Sequence, residues 1–576
     1  MGFDDPELIP GDIQYLTTDV FRGYQNRRKP DLGAFAGMKN LSSRDYPLLS
    51  ARGKREVAAA SPSLGGLLGK DGLCYTDGRE LVVGEHRYDL GLSAEQPKHL
   101  ISMGAYVVIF PDKKFLNTAD PQERGELEQV FTAEEVSLCP CNRDGQPRNP
   151  GYVQSSPPEE PENMALWLDN ATREGSLKQF SAATGQWISI TQVYVRLEAA
   201  GIEEAFRSGD AVEITGLTGK GESMNGTAVL HTVGTGFAVI SGLLDKRTAL
   251  PGRVRMERRV PEMDLVIECN NRLWGCRYGL NRAGKFVNEI YASKLGDFRN
   301  WAYFAGTAAD SYAVSLGSDG GFTGAVNYLG YPLFFRENCL HKIFGSYPAE
   351  YRLQTTPCRG VQAGSAESLT LAEEILYYKS PEGVCAFDGS LPVQVGQDLG
   401  QTRYENAAGG GVDGRFYLSM KGPEGWVLAV YDTRRRMWHL EDDLHIRSFA
   451  RWGRNLYGLE PETGRLWRLA GEADDPDISW MAQTGILDGG TPDAKFLSGL
   501  GVRMQLNPGS RVEFLLRYDS RGDWISAGTA AGTGLGIFTL PIRPRRCDHL
   551  ELKIRGTGPA RIYALTRAME KGEAIL

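Results

Sequence analysis

The sequence predicts an all-β fold built around a β-propeller, on three observations. Apolar-aromatic strands recur at steps of about 40 residues, each followed by a turn and another strand, which is typical of propeller blades. These strands are "LFFRE" (333–337), "ILYY" (375–378), "RFYL" (415–418) and "NLYGL" (455–459). Glycine makes up 70 of 576 residues, which indicates many tight turns. Helical periodicity is confined to short stretches, and its best candidate spans residues 120–136.

The number of repeating units predicts about seven blades. Two units precede residue 137, in "DGLCYTDGRELVVGEHRYDL" (71–90) and "MGAYVVIFPDKKFLNT" (103–118), and the others follow residue 250. The first blades are therefore assigned to residues 61–136 and the remaining blades to residues 251–472.

Residues 137–250 interrupt the blade repeat. Their pattern predicts a connector followed by a small inserted β-barrel. The stretch 137–165 is dense in Pro, Gly, Asn and Glu, which is typical of an exposed connector. The following stretch, 187–244, alternates short strand patterns with turns and holds one short helical turn near Ile202–Phe206.

Residues 473–576 predict a C-terminal β-sandwich that begins after "EADDPD". The strand "HLELKIR" alternates with a period of two residues, as a half-buried strand does. Leu550, Leu552 and Ile554 fall on one of its faces, and the charged residues between them fall on the other. Two antiparallel hairpins of this kind favour two packed sheets.

Residues 1–60 predict an extended N-terminal arm rather than a blade. The stretch "AGMKNLSSRDYPLLSARGKR" (36–55) is polar and basic, and Pro47 excludes a helix interior there. The first twenty residues are acidic where a signal peptide would be basic and then apolar, so we expect a soluble chain made in the cytoplasm.

Charge and motif composition predict no catalytic, cofactor-binding or metal-binding residues, and hence no enzyme. A net charge of −8 argues against nucleic-acid binding as the main task. The nine cysteines favour buried free thiols. Cys139 and Cys141 lack further zinc ligands at finger spacing, and a labile disulfide between them stays open. His439 is assigned to a solvated propeller rim.

The N-terminal segment "FRGYQNRRKPDLGAFAGMKNLSSRDYPLLSARGKR" (21–55) resembles the start of bacteriophage tail propeller proteins, the nozzle, tail hub and DNA-stabilisation-like proteins of short-tailed phages and Gram-positive prophages. The matching positions are Asn40, Pro47 and the basic end Arg52, Lys54 and Arg55. The strings "NNRLWGC…NEIYASKLGDFRNW" (270–301) and "LFFRENCLHKIFG" (333–345) are similar to proteins of the same kind.

This resemblance implies a structural virion protein that forms a ring, as nozzle or hub, around the DNA exit path. Its partners would be further copies of itself, six by analogy with the family, and portal, adaptor or other tail proteins. DNA would pass through the lumen without specific binding, and no membrane anchor is expected. The protein would be assembled in the host bacterial cytoplasm and reside in the virion tail.

The arm would then contact the propeller or a neighbouring virion protein through Asn40, Tyr46, Pro47, Arg52, Lys54 and Arg55. Deletion of residues 1–60 would leave a folded propeller that fails to join particles. Two alternatives stay open. A tail-tip receptor- or carbohydrate-binding propeller would carry exposed aromatic clusters on blade loops, and a glycan-degrading propeller would bring several acidic residues and arginines to its funnel.

Overall fold

The structure, a computed structural model, describes residues 13–488, 495–532, 534–542 and 545–571. The acidic start of the chain, residues 1–12, lies outside the described residues. No helix in the described part of the chain is long and apolar enough to cross a membrane.

Within residues 13–60, the part of the N-terminal segment that the structure describes, five short strands form no sheet of their own. They are β1 (Ile13–Thr18), β2 (Gly37–Lys39), β3 (Leu41–Ser42), β4 (Leu49–Ala51) and β5 (Glu56–Ala60). The first four join the C-terminal sheets, and β5 joins the last blade of the propeller.

Two four-stranded antiparallel blades follow directly, as the sequence predicts. Blade 1 consists of β6 (Leu64–Gly69), β7 (Leu73–Asp77), β8 (Glu80–Val83) and β9 (His86–Asp89), and blade 2 of β10 (His99–Met103), β11 (Tyr106–Phe110), β12 (Lys114–Asn117) and β13 (Arg124–Glu126). The helical candidate at 120–136 is wrong, because its residues complete blade 2 and begin the next strand. Tertiary pairing overrides local periodicity there.

An insertion between blades 2 and 3 contains a seven-stranded barrel and a separate four-stranded sheet. The elements are β14 (Gln129–Cys141), β15 (Tyr152–Gln154), β16 (Leu166–Asp169), β17 (Ser176–Ser181), β18 (Gln186–Ser189), β19 (Tyr194–Glu198), α1 (Ile202–Ala205), β20 (Ala211–Thr215), β21 (Gly226–Val229), β22 (Thr232–Gly234), β23 (Phe237–Ser241) and β24 (Thr248–Arg258), with a 3-10 turn at Gly219–Met224. The barrel strands, in the order β21-β20-β24-β14-β19-β23-β22, surround one apolar core.

The predicted connector at 137–165 is shorter than expected, because β14 runs to Cys141 and residues 152–189 form the sheet β15–β18. Aromatic rings form the core of this small sheet, although the stretch as a whole is polar. The ring of Trp187 lies 5.3 Å from those of Trp167 and Phe180.

Five further blades follow the insertion, so the propeller has seven blades, as predicted. Their strands are β25 (Leu265–Glu268), β26 (Leu273–Leu280), β27 (Phe286–Ala292) and β28 (Tyr312–Ser315); β29 (Gly324–Tyr328), β30 (Tyr331–Phe335), β31 (Cys339–Phe344) and β32 (Arg352–Pro357); β33 (Thr370–Ala372), β34 (Ile375–Ser380), β35 (Gly383–Phe387) and β36 (Val393–Gln394); β37 (Glu405–Val412), β38 (Arg415–Gly422), β39 (Gly425–Asp432) and β40 (Met437–Leu440); and β41 (Ser448–Trp452), β42 (Asn455–Glu460) and β43 (Arg465–Arg468). Three-residue 3-10 turns lie at Pro348–Glu350, Ala366–Ser368 and Gln397–Leu399.

The seventh blade obtains its fourth strand from the N-terminal segment. β5 pairs antiparallel with β43, with Arg465 opposite Ala60 and Trp467 opposite Val57. This pairing closes the ring with a strand from the other end of the propeller sequence.

The repeated motif read from the sequence is the second strand of each blade. These strands lie in the middle of four-stranded sheets, between neighbouring blades, and are buried on both faces. Phe334, Tyr378 and Leu418 are completely buried. Burial on both faces explains why these strands read as continuous apolar-aromatic runs.

The C-terminal region forms two packed sheets that share one core. Its strands are β44 (Ser479–Gln483), β45 (Lys495–Leu506), β46 (Arg511–Tyr518), β47 (Ile525–Ala531), β48 (Gly534–Leu540), β49 (Arg546–Cys547), β50 (Leu550–Thr557) and β51 (Ala560–Lys571). One sheet has the order β2-β44-β50-β46-β47 and the other β3-β4-β51-β45-β48, with β1 also on β51 and β49 also on β45. Leu550, Leu552 and Ile554 are buried, as their alternation predicts.

Residues 21–55, here named the clasp, lie between the propeller and the sandwich of the same chain. The clasp backbone bonds to β40 and the loop after it, where Tyr24 N donates to Trp438 O at 2.7 Å and Asn40 N donates to Glu441 O at 2.6 Å. A Cβ on Gly23 would lie 2.2 Å from Trp438 O, so this close approach requires glycine. Phe35 and Trp438 belong to the core that continues into the sandwich.

The assignment of residues 56–60 to an arm outside the blades is therefore wrong, and deletion of residues 1–60 is no longer expected to leave a folded propeller. The deletion removes β5, which completes blade 7, together with the clasp that covers β40. Both losses would expose strand edges and apolar surface.

Replacement of residues 56–60 by five Gly and Ser residues tests the closing strand. We expect faster hydrogen exchange at the amides of β43 and a lower Tm, because the replacement keeps the clasp but weakens the pairing with β43. Equal-length replacement of residues 156–160, in the insertion, is the control and should change neither. Unchanged exchange in β43 would contradict the closure.

Candidate functional site: the funnel of the propeller

The topology brings the first strands of the blades together around the propeller axis. Contacts between neighbouring first strands follow the ring through β41, β6, β10, β25 and β29, and through β33, β37 and β41. Because each blade is an up-and-down sheet, the loops that lead into the first strands share one face of the disc with the turns between second and third strands.

A cavity of about 490 Å³ opens on this face. Blades 1, 2, 3, 5, 6 and 7, or the loops that lead into them, supply its walls. Its polar and aromatic lining includes His99, Glu367, Asn406, Trp426, His445 and Arg447. Ligands usually occupy concave sites lined by aromatic and a few convergent polar groups, so we take the funnel as the candidate site.

An aromatic platform forms part of the wall. The rings of Trp426 and His445 stack with centroids 3.5 Å apart and an interplanar angle of 8°. Nδ1 of His445 lies 2.5 Å from Oε1 of Glu462, which orients the imidazole. The turn between β38 and β39 thus places a half-buried indole beside the loop that enters blade 7.

A hydrogen-bonded pair, His99 with Glu367, and the side chain of Arg447 line the same cavity. Nδ1 of His99 lies 3.2 Å from Oε1 of Glu367, and this hydrogen bond raises the pKa of His99. No carboxylate of the described residues lies within ion-pair distance of Arg447, whose Nη2 makes only long contacts of 3.4 Å with Leu64 O and 3.5 Å with Gln96 Oε1. Burial lowers the pKa of Arg447, while Glu367 and Glu462 oppose that shift. The funnel therefore offers a guanidinium to a ligand.

Three carboxylates around the funnel are engaged with cations. Glu367 pairs with His99. In an adjoining depression of about 380 Å³, Asp264 pairs with Arg277 and Glu262 pairs with Arg282. Glycoside hydrolysis in most families uses two carboxyl groups that face each other across the sugar. Glu367, Asp264 and Glu262 lie in ion pairs instead, whereas the exposed Glu95 of the same depression has no ion-pair partner among the described residues.

Of the six residues assigned to the arm, Asn40, Arg52 and Arg55 lie together at the junction of clasp, propeller and sandwich. Nδ2 of Asn40 donates to Ser479 O at 2.8 Å, and Nε of Arg52 donates to Asn40 Oδ1 at 2.9 Å. Arg55 is buried against Glu441 and Asp442. Tyr46 and Lys54 remain exposed. The Tyr46–Pro47 peptide bond is cis, and Arg435 lies over the Tyr46 ring at 4.6 Å.

His439 is buried, so its assignment to a solvated rim is wrong; the clasp covers the strand on which it lies. The side chain is 2% exposed, and in the described structure neither ring nitrogen has a hydrogen-bond partner. It borders a cavity of about 30 Å³ whose walls include Arg44, Arg52, Arg415 and Glu441. Burial lowers the pKa of His439 to about 4; Arg415 and Arg435 act in the same direction and Asp432 opposes them.

Cys139 and Cys141 are buried free thiols on β14 rather than in a loop. Burial raises the pKa of both, that of Cys141 to about 11. In the described ranges no group of three or more His, Cys, Asp or Glu side chains could hold a metal ion.

Sequence reasoning missed the funnel residues. His99 and His445 lie too far apart in the sequence to form a recognisable motif. Trp426 lies in a strand pattern that does not indicate which residue its ring stacks against. Only the order of strands around the ring brings them together, so the useful sequence signal was limited to the positions of the blade loops.

Comparisons with known proteins add no family assignment. No family model matches the chain, and no curated protein matches it. An exo-β-1,3-galactanase from Phanerochaete chrysosporium is 9% identical and matches 52% of this chain and 94% of its own, with a TM-score of 0.20. An extracellular domain from B. thetaiotaomicron, described as part of a hybrid two-component system, is 10% identical over 87% of this chain and 89% of its own, with a TM-score of 0.21.

A sialidase from Trypanosoma rangeli is 7% identical over 91% of this chain and 96% of its own, with a TM-score of 0.18. Scores this low carry no argument about function. The class is defined by the chain's own topology: a seven-bladed β-propeller with an inserted barrel, a C-terminal sandwich and a ligand-sized funnel.

The burial of His439 predicts acid sensitivity. Its folded-state pKa of about 4 lies below the ordinary value of 6.5, so between these values the unfolded chain binds a proton that the folded chain does not. The free energy of unfolding should fall as the pH drops from 6.5 towards 4, by about 3 kcal/mol from this residue.

Urea unfolding between about pH 7 and pH 4.5 measures this loss, and H439Q should reduce it. The exposed His86 provides the control variant H86Q, which should unfold with the wild-type pH dependence. An H439Q protein that loses as much stability as the wild type would contradict the assignment.

Proposed function

We propose that the chain is a non-enzymatic structural protein of a bacteriophage tail, part of a nozzle or hub ring around the DNA exit path. The observation that carries the proposal is the place of residues 21–55. The segment that resembles the N-terminus of phage tail propeller proteins is the segment that joins this chain's propeller to its sandwich. The residues that carry the resemblance are therefore the residues that connect the propeller to the sandwich.

The buried contacts of the clasp support a structural role. Arg55 bonds to Glu441 and Asp442, and Arg52 lies 3.5 Å from Asp475 beyond the propeller. A joint of this kind holds two modules in one orientation, which a ring component requires. The net charge of −8 suits a lumen through which DNA passes without being held. Partners would be other copies of the chain and portal, adaptor or other tail proteins.

Immunogold labelling of phage particles, with antibody raised against the purified chain, tests this proposal. We expect label at the tail, and a closed ring with a central channel in negative-stain images of the purified oligomer. Particles depleted of their tails are the control and should lose the label. Intact particles that carry no label would reject a virion role.

A second candidate function, a tail-tip propeller that binds carbohydrate, is favoured by the funnel. The Trp426–His445 platform offers a flat surface, and the side chains of Arg447 and Asn406 offer hydrogen bonds beside it. Such a combination of aromatic and polar groups is what small-molecule sites use. The guanidinium of Arg447, which has no ion-pair partner among the described residues, favours acidic glycans over neutral ones.

A glycan array with titration of the best binder tests the funnel. W426A and R447M should each weaken binding by about tenfold or more, because each removes a principal contact of the site. The matched control is W452A: this tryptophan is 39% exposed at the far end of β41, on the opposite face of the propeller. Equal binding by W426A and the wild type would exclude the funnel as the glycan site.

A further inference from the structure

Among the described residues, one sheet of the sandwich ends in two edge strands that pair on one side only. Its strands β1, β51, β45 and β48 follow one another across the sheet. In the described part of the chain, β1 pairs only with β51 and β48 pairs only with β45. The outer backbone groups of β1 and β48 therefore face away from the sheet at its two opposite ends.

Neither edge carries the features that usually prevent edge-to-edge association. The segments Ile13–Thr18 and Gly534–Leu540 contain no charged residue and no proline, although 24% of the whole chain is charged. Tyr15 is 71% exposed, Ile537 72% and Leu535 53%. The outer strands of blades 1 and 2 differ, since Arg87 and Arg124 lie on them. Exposed uncharged edges promote pairing with another chain.

The strand directions of this sheet allow β48 of one copy to pair antiparallel with β1 of another copy. All three pairings, β1 with β51, β51 with β45 and β45 with β48, are antiparallel. The four strands thus alternate in direction, and a β1 strand placed beside β48 of another copy would continue the alternation. The two strands have six and seven residues, so they match in length. Tyr15 and Ile537 would contribute an aromatic and a β-branched side chain to the joint.

We propose that copies of this chain associate head-to-tail, with β48 of one copy paired to β1 of the next. Pairing of β48 with itself would leave β1 open, whereas the head-to-tail joint satisfies both edges. Such a heterologous contact forms a ring when its rotation closes. In its ring form the inference rests on the function proposed above, and it names the surface through which the ring would assemble.

The other sheet of the sandwich supplies a matched control. Its edge strand β47 is also uncharged, and Ile525 on it is 50% exposed. The far edge of that sheet is β2, which lies in the clasp against β40. No equivalent pair of open edges exists there among the described residues, so I525K adds the same charge to an edge that the proposed joint does not use.

Size-exclusion chromatography with light scattering over a concentration series tests the joint. The wild type and I525K should form the same oligomer, and Y15K and I537K should each be monomeric. An equimolar mixture of Y15K and I537K should form dimers, because the intact β48 of Y15K can pair with the intact β1 of I537K. Far-UV circular dichroism verifies that each exposed-site variant is folded.

The remaining outcomes overturn the proposal. A wild-type chain that stays monomeric at its highest soluble concentration rejects self-association through these edges. A ring that survives Y15K and I537K rejects this joint and leaves the virion role intact, since immunogold labelling tests that role separately. A mixture of the two variants that stays monomeric, or Y15K alone forming dimers, rejects the head-to-tail arrangement.

Discussion

The contact on which the rest of the structure depends is the burial of Arg55 against Glu441 and Asp442. Its guanidinium, like the Glu441 carboxylate, is almost fully buried. Burial opposes the charge on Arg55, but the two carboxylates outweigh it and raise the pKa of Arg55. Burial likewise opposes ionisation of Asp442, whose pKa Arg55 and Arg52 hold below its usual range. Such a cluster adds little net stability compared with an apolar one, yet loss of one partner is severe.

This cluster fixes the chain at the point where the clasp ends and the closing strand β5 begins. One residue further along, β5 pairs with β43 and completes blade 7. The carboxylates belong to the loop between blades 6 and 7, so one guanidinium sets the direction in which the chain enters the ring. The cluster therefore lies between the strand that closes the propeller and the clasp that attaches the sandwich.

The fold was largely predictable from the sequence, for a physical reason. Second strands such as β34 and β38 are buried on both faces, so their composition alone identifies them. The closing strand was not predictable, because "EVAAA" is mostly exposed and its pairing partner lies near the other end of the propeller sequence. The sheet β15–β18 was not predicted for a related reason. Its core depends on a few aromatic side chains within a polar, Pro-rich stretch.

The site was less predictable than the fold. His99 and Glu367 belong to distant blades, and only ring closure places them 3.2 Å apart. His439 was predicted to be exposed because its sequence neighbours are acidic and basic. It is buried, because the clasp covers its strand and keeps water away from it. Charge patterns describe local exposure well, but they do not reveal which distant segment covers a strand.

Ring formation and ligand binding, the two candidate functions, would use different surfaces of the molecule. The funnel lies on the propeller axis, whereas β1 and β48 lie on the sandwich, which the clasp attaches beside blade 6. A ring built through the sandwich edges uses none of the residues that line the funnel. Self-association and ligand recognition can therefore coexist in one chain. The clasp, which bonds to both modules, would then hold every funnel in a ring at the same orientation, which is the geometry that multivalent recognition of a surface requires.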